Sequence, residues 1–160
     1  MMKNLLFLVL VFGFYSASAQ ISFRTGNSQL DLDLNVINAH ASADFGTFKA
    51  DMNVSYNVAE KKIDYMRGSL HMAPGEIYLA LEISKIARVP LDNVISAYRT
   101  NKSRGWGYIA RQVGIKPGSA EFHQLKNNAG SKKGNGAGKK PSHAKMKNKD
   151  RGNSSKHKKH

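Results

Sequence analysis

Histidine and carboxylate side chains are the first candidates for chemistry in this sequence. His40 and Asp44 lie four residues apart, so a helix would place both on one face, as two metal ligands require. No third ligand has a defined position beside them. Three more histidines stand among lysines near the end of the sequence, where they could hold a transition ion only loosely: His143, His157 and His160. We therefore predict no dedicated metal site and no cofactor.

The sequence carries no familiar catalytic motif. It contains no cysteine, which excludes thiolate nucleophiles, thiolate zinc sites and disulfides. Neither the G-x-S-x-G turn of serine hydrolases nor the H-E-x-x-H pair of zinc proteases occurs. We therefore expect a protein that is not an enzyme. The alternative is a hydrolase assembled from distant residues, which a deep pocket joining His40, His71 or His123 to a carboxylate would favour.

The stretch at residues 104–126 contains three further candidates for binding: Trp106, Lys116 and His123. Ser119 fits the N-cap of a final helix, and helix N-termini attract anions, so these three side chains could form an exposed anion site. The glycines and prolines of the stretch all have turn or cap roles, however. This favours a structural interpretation, in which Trp106 and Phe122 anchor a helix–turn–helix hairpin in the core.

The same stretch resembles a sequence block near the end of a family of uncharacterised exported bacterial proteins. The block reads GWG-x-IA, then GIKPGS, then EFH-x-L, and this chain matches it at residues 105–107, 109–110, 114–119, 121–123 and 125. The resemblance implies an exported bacterial protein. It implies no activity, ligand or catalytic residue.

Positive charge is concentrated near the end of the sequence, which has a formal net charge of +14. Residues 20–125 carry a net charge of +2, whereas residues 126–160 carry +11 and contain one acidic residue, Asp150. From residue 127 onward, Lys, Gly, Asn, Ser and His dominate, and such a composition cannot bury enough apolar surface to order the chain. We therefore predict a disordered basic tail over residues 127–160.

Residues 1–19 have the three parts of a cleavable signal peptide. Lys3 supplies positive charge, residues 5–14 are almost continuously apolar, and small residues follow in an A-x-A pattern that ends at Ala19. The apolar stretch is shorter than the roughly 20 residues that cross a bilayer. We therefore expect a mature chain that begins near Gln20, lies in the periplasm or outside the cell, and has no membrane span.

Apolar spacing between these two ends predicts an all-α domain of about six mostly short helices over residues 28–126. From Leu30 to Met52 apolar residues recur at steps of three and four, which predicts one long amphipathic helix. Gly114 is expected to end a later helix in a left-handed conformation. Five shorter helices are predicted near residues 59–67, 76–88, 91–98, 108–113 and 119–125, the second of them buried and central.

These observations predict an exported, non-enzymatic protein whose basic tail associates with an anionic polymer or surface. Partners of this chemistry are lipopolysaccharide, acidic polysaccharide, anionic lipid and extracellular nucleic acid. Binding through diffuse charge should be sensitive to salt and unselective, and it would use Lys132, Lys133, Lys139, Lys140, Lys145, Lys147, Lys149, Arg151, Lys156, Lys158 and Lys159.

The alternative is a protein-interaction or chaperone-like module of the cell envelope. In that case the helical domain binds a protein partner, and the tail only keeps the protein soluble. An exposed apolar groove beside Trp106 would favour this alternative.

Overall fold

The computed structural model describes residues 21–135, which form an all-α domain. The predicted signal peptide at residues 1–19 and the part of the tail beyond residue 135 lie outside the described residues. Within them, none of the helices combines the length and apolar character that a bilayer crossing requires. The helices are α1 (Ser28–Ala43), α2 (Phe45–Tyr56), α3 (Glu60–Gly68), α4 (Pro74–Ala87), α5 (Leu91–Asn101), α6 (Trp106–Gln112) and α7 (Ala120–Asn135), with a 3-10 turn at Lys102–Arg104 before α6.

The prediction of one long helix from Leu30 to Met52 is wrong, because the chain forms two helices, α1 and α2, on either side of Asp44. The backbone N–H of Asp44 still donates to His40 in α1, at 3.2 Å. Its side chain, however, accepts from the backbone N–H of Thr47 at 3.0 Å and so caps the start of α2. Because an aspartate that caps a new helix competes with continuation of the old one, the chain bends here.

Helix α4 lies at the centre of the domain, as predicted. It packs against α1, α2, α3, α5 and α7, and the ten consecutive residues 74–83 are buried. Gly75 allows α1 to come close, since a Cβ atom there would lie 2.9 Å from the backbone oxygen of Leu34. The buried face of α4 includes two carboxylates, Glu76 and Glu82, which therefore need hydrogen-bond donors inside the protein.

The segment before α1, residues 21–27, packs into the domain, and we call it the N-terminal strap. Its Phe23 side chain is 1% exposed. The backbone oxygens of Phe23 and Arg24 accept from the N–H groups of Trp106 at 2.9 Å and of Gly107 at 3.0 Å. These bonds satisfy two of the N–H groups that the first turn of a helix leaves free. The folded domain therefore includes residues 21–27, which the predicted boundary of 28 left out.

The contact between the N-terminal strap and α6 requires glycine at two positions. A Cβ atom at Gly107 would lie 2.4 Å from the backbone oxygen of Thr25. One at Gly105, where φ is +83°, would lie 2.6 Å from the Cβ atom of Arg24. Both distances are far below van der Waals contact. The G-W-G sequence is therefore explained by the close approach of the strap.

The folded domain also extends past its predicted end at residue 126, because α7 continues to residue 135. Ala129 is fully buried, and the Asn128 side chain donates to Glu82 of α4 at 3.0 Å. The polar composition of residues 127–135 suggested disorder. A helix nevertheless needs only one buried face, and a small residue such as Ala129 is enough to let it pack closely.

Lys132 and Lys133 belong to this folded part of the chain. Lys132 pairs with Asp51 of α2, and Lys133 pairs with Asp33 of α1, whose side chain is almost fully buried. The two lysines were predicted to bind a polymer through the disordered tail. Because both already face a carboxylate, their charge instead holds α7 against the bundle.

The cap predicted after α6 is confirmed. Gly114 has φ of +100°, and its N–H donates to Arg111 at 3.1 Å. The N–H of Ile115, which is 1% exposed, donates to Ala110 at 2.9 Å, so the two bonds form a Schellman cap. Ser119 caps α7 as expected, since its hydroxyl oxygen accepts from the N–H of Phe122 at 3.2 Å.

Replacing Gly107 with alanine should push the N-terminal strap away from α6 and lower the free energy of unfolding by about 1–3 kcal/mol. Urea denaturation followed by the fluorescence of Trp106, the one tryptophan of the chain, measures this change. Gly130→Ala is the matched control, because a Cβ atom there would lie 3.5 Å from Asp33, an ordinary contact. Because alanine favours a helix more than glycine does, Gly130→Ala in α7 should raise the free energy of unfolding by up to about 1 kcal/mol. Equal effects of the two substitutions would contradict the close approach.

Replacing Lys133 with methionine should also lower the free energy of unfolding. The buried carboxylate of Asp33 would keep only Gln29 as a donor, and we expect a loss of about 1–3 kcal/mol. Asp33→Asn in the same chain should recover part of the loss, which a double-mutant cycle by urea denaturation would quantify. The control is Lys126→Met on the same helix. If both lysine variants unfold at the same urea concentration, the ion pair does not stabilise the domain.

Candidate functional site

Trp106 lies in the core and takes part in a buried hydrogen-bond network around Glu76. The Trp106 side chain is 3% exposed, and its Nε1–H donates to Glu76 at 3.3 Å. The Tyr98 hydroxyl and the backbone N–H of Ala73 donate to the other carboxylate oxygen, at 3.2 and 3.0 Å. Burial and the nearby Glu76 carboxylate raise the pKa of Tyr98, which stays a protonated donor at neutral pH. The Glu76 carboxylate is therefore fully occupied by structural contacts.

The structure does not bring Trp106, Lys116 and His123 together in an exposed site. Lys116 and His123 are exposed, in the loop after α6 and on α7, whereas Trp106 points inward. The Trp106 ring packs against Tyr98 with 5.2 Å between centroids, and Trp106 lines none of the three surface clefts described below. Trp106 thus has the structural role that the glycine and proline spacing favoured.

A second buried carboxylate, Glu82, connects α4 with α2 and α7. It is 4% exposed and accepts from the Tyr56 hydroxyl and, at 3.0 Å, from Asn128. The rings of Tyr56 and Tyr78 meet edge to face, with 6.5 Å between centroids. Burial, and next the charge of Glu82, raise the pKa of both tyrosines, so both remain neutral near pH 7. This network is a polar core contact between α2, α4 and α7, and its Tyr56 also lines a surface cleft.

The histidines do not assemble a catalytic or metal site in the described part of the chain. Over residues 21–135, no group of three or more histidine or acidic side chains is placed to hold a metal ion. The Asp44 carboxylate is occupied by Thr47, whose hydrogen bonds lower the pKa of Asp44. His40, His71 and His123 are exposed, and none of them lines the three surface clefts described next.

The three clefts are open and lie between pairs or trios of helices. The first, which we call the Val54 cleft, has a volume of about 430 Å³ and apolar walls that include Val54, Tyr56, Val58, Leu81 and Leu91. The second lies between the ends of α4 and α6 and the start of α7, and the third lies between α1 and α7 beside the ion pair of Lys133. Glu76 and Glu82 line none of the three clefts, whereas Tyr56, which donates to Glu82, lines the first and the buried Asp33 lines the third.

Most acidic side chains of the domain are engaged in internal contacts. Glu76 and Glu82 are buried, and Asp33 and Asp51 pair with α7. The other engaged carboxylates are Asp31 with Thr25, Asp44 with Thr47, Glu60 and Asp64 with Lys49, and Asp92 with Lys62. By contrast, none of the arginines in the described residues forms an ion pair with a carboxylate. These arginines are Arg24, Arg67, Arg88, Arg99, Arg104 and Arg111. The small net charge of the domain therefore conceals an exposed surface that is mainly positive.

Two of these arginines lie against one tyrosine and a third bonds to the chain just before them, and we call Arg24, Arg104, Tyr108 and Arg111 the arginine face. The guanidinium carbon of Arg104 lies 3.6 Å from the centroid of the Tyr108 ring, and that of Arg111 lies 5.8 Å from it. Arg24 donates to the backbone oxygen of Ser103 at 2.7 Å, next to Arg104. All three arginines are exposed. This is the best-defined group of convergent charges on the described surface.

The sequence analysis did not identify the arginine face. The spacing of Tyr108 and Arg111 was the available signal, since two residues three apart lie on one side of a helix, here α6. Arg104 lies before α6 in the 3-10 turn, so helical spacing does not place it beside Tyr108. Arg24 could not be added from the sequence. It joins the face only because the N-terminal strap docks on the first turn of α6.

Alkaline pH should destabilise the domain through its buried tyrosines. The raised pKa values of Tyr56, Tyr78 and Tyr98 mean that the folded state holds their protons more tightly than the unfolded chain. This stability is complete below the unfolded pKa of about 10 and is lost as the pH rises further. Urea denaturation from about pH 8 to 11 should show the loss, with a smaller slope for Tyr78→Phe. Tyr65→Phe on the surface is the control, and identical slopes for both variants would contradict the assignment.

Comparison of this chain with protein-family models, with curated proteins and with solved structures finds no match. The roles assigned to these residues therefore rest on their contacts, their burial and their charge.

Proposed function

We propose that this is an exported, non-enzymatic protein that binds anionic polymers of the bacterial envelope or its surroundings. One observation carries the proposal: positive charge is segregated from negative charge along the chain. Residues 136–160 contain nine Lys or Arg and one acidic residue, Asp150. The basic residues in question are Lys139, Lys140, Lys145, Lys147, Lys149, Arg151, Lys156, Lys158 and Lys159, all outside the described residues.

The helical domain supports the proposal as a folded base for this basic segment. Helix α7 is held on α1 and α2 by Lys132 and Lys133, and the basic segment follows directly after residue 135. We leave Lys132 and Lys133 out of the polymer-binding set, since each is matched by a carboxylate. The polymer-binding set that we propose therefore consists of the nine basic residues of 136–160.

Diffuse charge predicts a particular kind of binding. Each lysine or arginine that neutralises an anionic group of a polymer releases a condensed counterion, so affinity falls steeply as salt rises. Such binding discriminates poorly among partners of similar charge density. Lipopolysaccharide, acidic polysaccharide, anionic lipid and extracellular nucleic acid all have the required chemistry, and the export proposal places the protein where it can meet them.

The position of the N-terminal strap supports the export proposal. Ile21, the first residue that the structure describes, follows the predicted mature terminus at Gln20 directly and is held in the domain. The N–H of Ile21 donates to the Asn35 side chain at 3.2 Å, and that side chain donates back to Ile21 at 3.3 Å. Cleavage after Ala19 would therefore leave the whole strap in place.

A protein-interaction role is the second candidate, and the Val54 cleft is the observation that favours it. Val54 is 81% exposed, although the cleft it lines is mostly apolar. A photo-crosslinking residue at position 54 should then capture a discrete envelope protein, whereas one at the exposed position 61 should not. Equal crosslinking from positions 54 and 61 would mean that the Val54 cleft has no specific protein partner.

Replacing the nine basic residues of 136–160 with glutamine in the full mature chain should abolish binding to polyanions. The unmodified mature chain should bind both lipopolysaccharide and DNA, and its affinity should fall at least about tenfold between about 50 and 200 mM salt. Fluorescence anisotropy with labelled polymers measures both effects. Urea denaturation should show unchanged stability, because none of the nine residues belongs to the described domain.

The matched control is a chain in which residues 136–160 are kept in composition but scrambled in order. Diffuse charge depends on composition, so this chain should bind as the unmodified one does. If the neutralised chain binds as tightly as the unmodified chain at every salt concentration, the proposal is wrong. If scrambling alone abolishes binding, the segment carries a specific motif and the diffuse mode is wrong.

A further inference from the structure

The arginine face gives the folded domain an anion site of its own, with a geometry that diffuse charge lacks. We propose that Arg104 and Arg111 bind phosphomonoester groups of a phosphorylated glycan, and that Arg24 supports them. This inference rests on the proposed function, since it names the anionic group that the same protein recognises. It differs from that function in its residues, because it does not involve residues 136–160.

The arginine face is organised before any ligand arrives. Arg104 stacks on the Tyr108 ring at 3.6 Å, and a guanidinium group held on an aromatic ring keeps its N–H edges available for an anion. Arg111 approaches the same ring at 5.8 Å. Among the described residues no carboxylate pairs with either arginine. Both guanidinium groups therefore lie within 6 Å of the centre of one ring, on exposed side chains that no described carboxylate neutralises.

The number of oxygens in the ligand decides which anion fits two forks. One guanidinium binds a carboxylate, which carries a single negative charge, through two parallel hydrogen bonds. A phosphodiester likewise has two terminal oxygens that share one negative charge. A phosphomonoester has three terminal oxygens and up to two negative charges, so it matches the charge of two guanidinium groups and offers them more acceptor sites. Arg104 and Arg111 on one ring fit this third case best.

Other features of the surface argue against a nucleic acid and a bilayer. Arg104 covers a face of the half-buried Tyr108 ring, so bases have no free platform on which to stack. The large apolar side chains that are exposed in the described domain lie on α1, α2 and α3, away from α6: Leu32, Val36, Val54 and Tyr65. The arginine face therefore lacks the apolar residues that would enter a membrane.

The test uses the full mature chain in which the nine basic residues of 136–160 are glutamine, so that diffuse binding is removed. The probes are deacylated lipopolysaccharide, the same glycan after phosphatase treatment, and duplex DNA. Calorimetric titration at about 150 mM salt keeps weak surface electrostatics screened. We expect the phosphorylated glycan to bind, and the dephosphorylated glycan and the DNA to bind at least about tenfold more weakly.

Arginine-to-lysine substitutions test the geometry, because lysine keeps the charge and loses the planar fork. Arg104→Lys with Arg111→Lys should weaken binding of the phosphorylated glycan about tenfold. The matched control is Arg67→Lys with Arg88→Lys, two exposed arginines outside the arginine face, which should leave binding unchanged. Urea denaturation should give the same midpoint for all chains. If a lysine pair shifts that midpoint, the single substitution Arg111→Gln replaces it. Arg111→Gln should lower the affinity for the phosphorylated glycan and leave the urea midpoint unchanged.

Three results would overturn the inference. They are equal binding of the two glycans, tighter binding of DNA than of the phosphorylated glycan, and equal losses for the two lysine pairs. Binding measurements on the unmodified mature chain distinguish failure of this inference from failure of the proposed function. If it binds polyanions while the glutamine chain binds none, the arginine face is not a site and the charge of residues 136–160 is sufficient. If the glutamine chain still binds the phosphorylated glycan at about 150 mM salt and does not bind DNA, the arginine face is a binding site that does not need the charge of residues 136–160.

Discussion

Helix α4 is surrounded by other helices, so its glutamates Glu76 and Glu82 must find all their hydrogen-bond partners inside the protein. Glu76 takes donors from α5 and from Trp106 of α6, and Glu82 takes donors from Tyr56 of α2 and Asn128 of α7. Two carboxylates thereby specify where four helices sit around the fifth. A buried carboxylate without its partners would cost several kcal/mol, at the level of about 3–5 for a broken buried pair. The polar contacts therefore select one packing arrangement, which apolar contacts alone would leave less defined.

This use of carboxylates inside the domain also determines its outer surface. Acidic side chains that cap helices, pair with α7 or accept from buried tyrosines cannot neutralise arginines on the outside. The result is a protein whose sequence shows a nearly neutral domain and whose surface is positive. The charged segment at residues 136–160 and the arginine face of the domain then have the same sign, and they can act on the same polymer.

Local features of the fold could be predicted from the sequence, and features that depend on distant residues could not. The caps at Gly114 and Ser119 and the buried nature of α4 depend on neighbouring residues, and all three were predicted. Asp44 was placed inside a helix, because periodicity alone does not distinguish an aspartate on a helix face from one that caps the next helix. The helical residues 127–135 were assigned to the tail because composition does not show that α1 offers a surface to them. Arg24 reaches the arginine face through a fold contact that no spacing rule encodes.

The N-terminal strap also determines when the domain can close. Arg24 and its partner Ser103 are separated by 79 positions, and the strap docks on the helix just beyond, so it finds its place only after most of the domain has formed. Contacts this distant in sequence form late and slow the completion of folding. A chain that crosses a membrane with its N-terminus first would thus stay open until α6 has followed. During synthesis from the N-terminus, the strap therefore cannot dock before α6 has been made, although it is the first part of the described domain to appear.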